Sequence, residues 1–81
     1  MNVILEPNVP MDLYAATGIA AGTQIILSLN TTQTVKISTT EAGLSDDFIT
    51  LHQYKQAANN SGDAGAWALC HRAVIINVRE A

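Results

Sequence analysis

Two short runs in the middle of the chain constrain its fold more than any other feature. Within residues 23–30, positions 25, 27 and 29 are Ile, Leu and Leu, while positions 24, 28 and 30 are polar. Residues 34–39 repeat the pattern, with Val35 and Ile37 on one side and Thr34, Lys36 and Ser38 on the other. Apolar side chains at every second position line one face of an extended strand, whereas a helix would scatter them around its axis. Asn30, Thr31 and Thr32 between the two runs carry turn chemistry, so the runs are expected to pair as a hairpin.

The flanking segments extend the same reading. Residues 1–11 hold both prolines, Pro7 and Pro10, and the apolar triplet Val3-Ile4-Leu5. Proline fixes φ and lacks an amide donor, which predicts an extended N-terminal arm ahead of a single β domain over residues 12–81. Residues 12–17 read as a short strand, followed by turn residues at Gly18 and Gly22. Gly43 and the Asp46-Asp47 pair mark a loop. Residues 48–58 fit either a helical stripe through Phe48, Leu51, Tyr54 or Lys55, and Ala58, or a further strand over 48–52, and the strand is favoured by its neighbours. Asn59-Asn60-Ser61-Gly62-Asp63-Ala64-Gly65 is a turn cluster, and residues 66–70 and 73–78 flank His71-Arg72 as a terminal hairpin. The expected fold is all-β, a small β-sandwich or barrel of six to seven short antiparallel strands.

Size then becomes an argument. A chain of 81 residues hides only about 60–65% of the surface it exposes when unfolded, and domains this small commonly need a disulfide, a metal or a partner. Cys70 is the sole cysteine, and with two histidines it does not make a four-ligand zinc set. No metal or cofactor is expected. Four basic residues against seven acidic ones give a net charge of −3, which argues against a nucleic-acid surface. The weakly polar run over residues 15–29 is interrupted by glycines and polar residues and is too short for a membrane span. No signal peptide is read at the N-terminus, and a lone thiol suits a reducing cytoplasm.

Candidate chemistry is sparse. Neighbours on a strand point to opposite faces, so His71 is not expected to reach the Cys70 sulfur as a catalytic base. His52 and His71 lack a spaced carboxylate to complete a metal site, and Glu41, Asp46, Asp47 and Asp63 do not follow the spacing of a calcium loop. Trp67 reads as an anchor for the core or for an interface. The chain is therefore not expected to be an enzyme. The triplets Ile25-Ile26-Leu27 and Val74-Ile75-Ile76 set large apolar groups on both faces of a strand, although a sandwich buries only one. The arm, a second copy or a partner has to cover the other face. Val3, Ile4, Leu5, Ile26, Trp67 and Ile75 are the residues expected at that interface, and the arm over residues 1–9 is expected to be dispensable to the fold.

The run Pro10-Met11-Asp12-Leu13-Tyr14-Ala15-Ala16-Thr17-Gly18-Ile19, then Gly22-Thr23-Gln24-Ile25-Ile26, is similar to segments of small tailed-bacteriophage virion proteins. So are Gly62-Asp63-Ala64-Gly65-Ala66-Trp67-Ala68 and Ile76-Asn77-Val78. The resemblance covers most of residues 10–79, through glycine turns around alternating strands, and departs between Glu41 and Ala58. It implies a non-enzymatic structural component of the particle, above all a capsid decoration protein that cements the shell in many copies. A tail, collar or head-fibre component, or a host-surface binding module, is the alternative. The implied partners are the major capsid protein or other virion proteins and further copies of the chain, as a trimer. The implied location is the virion, after synthesis in the host cytoplasm.

Overall fold

The computed structural model describes residues 1–29, 31–52, 56–59 and 65–81. The helix-or-strand question at 53–55, Tyr54 included, and the turn at 60–64 lie outside them, as does Asn30. Among the described residues, eight strands form two four-stranded antiparallel sheets. The first sheet runs β1 (Asn2–Leu5), β8 (Val74–Glu80), β3 (Ile25–Leu29), β6 (Gln56–Asn59). The second runs β2 (Met11–Asp12), β7 (Trp67–Cys70), β4 (Val35–Ser38), β5 (Ile49–Leu51). The fold is all-β, an open sandwich rather than a closed barrel.

The connections explain the order. Six of the seven cross from one sheet to the other, and only β4 to β5 stays within a sheet. The crossings β1–β2, β7–β8, β3–β4 and β5–β6 stack side by side, because β1 pairs with β8 as β2 pairs with β7, β8 with β3 as β7 with β4, and β3 with β6 as β4 with β5. The strand orders 1-8-3-6 and 2-7-4-5 are those of a jelly roll, a double-sheet wrapping of two Greek keys.

Two expected hairpins are therefore corrected. Strands β3 and β4 do not pair, and neither do β7 and β8; each pair faces itself across the interior. The physical reason lies in their shared pattern. Ile25, Leu27 and Leu29 of one strand and Val35 and Ile37 of the other all need burial, and opposed sheets supply it from both sides. The same core takes Val74, Ile76 and Val78 from β8, Ala68 and Cys70 from β7, and Leu51 from β5.

The N-terminal segment is extended, and it is built into the fold. Strand β1 pairs with β8 in the register Asn2↔Asn77 to Leu5↔Val74. Val3 is 7% and Leu5 0% exposed, so both belong to the core. Removing this stretch takes out core, which overturns the expectation that it is dispensable. Residues 12–17 are also corrected, from strand to helix: α1 spans Leu13–Thr17. Asp12 caps it by accepting from the Tyr14 and Ala15 amides at 3.0 and 3.3 Å, and Gly18 ends it at φ +76°. Leu13 and Tyr14 turn inward, and the Tyr14 hydroxyl donates to the Thr23 carbonyl at 2.6 Å. Residues 49–51 form a strand, as favoured.

Candidate functional site

The outer faces of the two sheets differ, and the difference defines the site. On the second sheet, the connection from β4 to β5 folds back as a 3₁₀ turn over Ala42–Ser45 that packs on β4 and β7. Ser38 anchors it, donating from Oγ to the Asp47 carbonyl at 2.8 Å, and Thr40 Oγ1 accepts from the Gly43 amide at 3.0 Å. Gly43 and Leu44 are buried there. Trp67 lies half-buried in the row Asp12–Trp67–Ser38 beside this turn. Lys36 reaches over the Phe48 ring, with Nζ 4.6 Å from its centroid. The chain thus covers much of this face itself.

The outer face of the first sheet has no such cover among the described residues. Its rows follow from the register: Ile4 beside Ile75, then Asn2–Asn77–Ser28, then Arg79 beside Ile26. Met1 and Val78 exchange both backbone hydrogen bonds, each 2.7 Å long. Antiparallel alternation then makes Ile4 and Ile75 a non-hydrogen-bonded pair, whose side chains stand closest together. Ile4 is 67% and Ile75 49% exposed. With Thr31, Ala73 and Val74 they line an open groove of about 340 Å³. The Asn77 amide donates to Asn2 Oδ1 at 3.0 Å and forms a polar border.

The six residues named from sequence thus separate. Ile4 and Ile75 come together on the surface. Ile26 shares their face, two rows away and partly buried. Trp67 is on the other sheet, and Val3 and Leu5 point into the core. Thr31 and Ala73 were not legible as groove residues, since small side chains in turns carry no periodic signal. Ile49, 56% exposed at the edge strand β5, was also missed.

Cys70 and His71 do not form a nucleophilic pair. The thiol is buried and donates to the Glu6 carbonyl at 3.3 Å, while the exposed His71 ring lies 3.4 Å from Asn8 Oδ1. Burial also pushes the thiol pKa upward, against thiolate formation. Leu51 and Cys70 flank Val35 in one row, so the histidines that follow them leave the sheet two strands apart. Among the described residues no three His, Cys, Asp or Glu side chains converge on a point that could hold a metal ion, and no helix is long and apolar enough to cross a membrane.

Fold and surface together define a small jelly roll with one self-covered sheet and one sheet whose outer face no described residue covers, ending in an apolar edge. Compared with models of protein families, with curated proteins and with solved structures, the chain matches none.

Proposed function

We propose that this chain is a non-enzymatic structural protein of a bacteriophage particle, a decoration protein that binds the assembled shell in many copies. The observation that carries the reading is the exposed Ile4–Ile75 pair at the rim of the first sheet, on a face that no described residue covers. Two isoleucines with a small groove fall far below the roughly 1,200–2,000 Å² of a stable stand-alone interface. A contact of that size gains strength by repetition on a lattice, where many copies act together. The jelly roll recurs in viral capsid domains as well as in lectins and cupins, so it agrees with the reading by analogy of fold alone. The resemblance of residues 10–26 and 62–78 to small virion proteins points the same way. The partner is the major capsid protein or another virion protein, and the location is the particle.

Co-sedimentation of the purified chain with assembled shells and, separately, with tails tests this. Binding to shells that is lost in Ile75→Lys is the expected result. Binding to tails alone would move the chain to the tail or collar reading, and binding to neither would remove it from the particle.

A further inference from the structure

We infer that the chain associates with a second copy of itself through the free edge of β1, by two-fold antiparallel strand addition. The inference does not depend on a viral role. The reciprocal Met1–Val78 bonds fix which way each backbone group of β1 points. Val3 and Leu5 hydrogen-bond inward to β8, so the amides and carbonyls of Asn2 and Ile4 point outward, where no described strand pairs. The ladder cannot extend beyond Leu5, because the Glu6 carbonyl already accepts from the Val9 amide and the Cys70 thiol, both at 3.3 Å, and Pro7 follows.

That leaves two donors and two acceptors, spaced two residues apart. The set is complementary to itself under a two-fold axis through Val3. Asn2 of each copy then exchanges both bonds with Ile4 of the other, so all four outward groups of Asn2 and Ile4 are satisfied. The register keeps face parity, so both Ile4 side chains lie on the same outer surface as diagonal neighbours. Charge agrees as well. Strand β1 carries no charged side chain that would repel a second copy of itself. The remaining edges are less suited: β2 has two residues and follows Pro10, β5 has three, and β6 reads Gln-Ala-Ala-Asn. β1 has neither proline nor lysine to blunt it. The symmetry is two-fold, in place of the trimer that the sequence resemblance implies.

Sedimentation equilibrium of the full chain up to about 1 mM, with amide hydrogen exchange read residue by residue, tests the pairing. A monomer–dimer equilibrium is expected, with Asn2 and Ile4 amides slowing as concentration rises while Val3 and Leu5 stay slow throughout. Ile4→Pro removes an outward amide that makes no bond within the chain, and should weaken dimerisation by at least about tenfold. Ile4→Lys, which keeps the amide and adds edge charge, guards against a folding defect in the proline variant and should also weaken it. Ile75→Lys, on the face but off the edge, should leave dimerisation within about threefold. A monomer at all concentrations, a trimer, or a dimer insensitive to both Ile4 variants would overturn the inference.

Discussion

The Cys70 thiol donates a 3.3 Å hydrogen bond to the Glu6 carbonyl, and so ties the first crossing between the sheets to the last. The Asn8 amide adds a 2.8 Å bond to the Cys70 carbonyl. Asn8 takes φ +60°, a conformation asparagine tolerates better than most residues, and this lets the chain turn alongside β7 before entering the second sheet. The N-terminal segment is thereby fastened at both ends, by β8 on one sheet and β7 on the other.

Truncation of this segment should therefore unfold the protein. Leu5 is fully buried, and Leu5→Ala should lower stability by about 2–5 kcal/mol. Deleting residues 1–9 removes Leu5, Val3 and an entire edge strand, and should abolish cooperative unfolding. Urea denaturation followed by the fluorescence of Trp67 checks both. A truncated chain with an unchanged midpoint would contradict the placement of β1.

The short helix α1 depends on its two ends, since five residues are too few to hold a helix by propensity. Asp12→Ala should cost about 0.5–2 kcal/mol, and Asp12→Asn much less, because the amide oxygen still caps. Gly18→Ala meets no neighbouring atom, so its cost of about 1 kcal/mol comes from the left-handed backbone alone, and Gly18→Asn should recover part of it. Thermal unfolding of the four variants ranks them.

Gly65 answers to space instead. A β-carbon there would press on the Thr39 backbone carbonyl, which cannot rotate away as a side chain would. Gly65→Ala should destabilise by about 1–3 kcal/mol, and Gly65→Ser by at least as much. Equal stability of Gly65→Ala and the parent chain in urea would show that the segment before β7 shifts freely.

What the sequence made legible was the membership of each face, and what it hid was the partner of each strand. Alternation at 25–29 and 35–37 identifies inward side chains correctly, yet the same alternation suits a neighbour in one sheet and a facing strand in the other. Only the linker geometry separates a hairpin from a crossing, and Asn-Thr-Thr carries no strict turn signature. The helix at 13–17 was hidden because one turn has no periodicity, although Asp12 and Gly18 flank it as cap and stop. The site was half legible. Val3-Ile4-Leu5 and Val74-Ile75-Ile76 announce apolar groups on both faces, and the outward members of each, Ile4 and Ile75, are the exposed pair. Which triplet member points outward follows from register, which composition does not contain.

The buried thiol predicts a pH dependence. Burial raises the folded pKa of Cys70 above its ordinary value of 9.0, outweighing the backbone hydrogen bond that lowers it. The folded chain then keeps its thiol proton at a pH where the unfolded chain has lost it. Since stability changes with pH as the protons bound by the unfolded state minus those bound by the folded state, the difference is negative in that window. The contribution of Cys70 is full below about pH 9 and is lost as the pH rises through the folded value. Cys70→Ser retains a donor toward Glu6 but has no proton to lose in this range. Its stability, whatever its absolute level, should fall less steeply than that of the parent above pH 9, measured by urea midpoints from pH 7 to 10.5. Parallel curves would show that Cys70 titrates alike in the folded and unfolded chain, and that the Glu6–Cys70 contact does not shield the thiol.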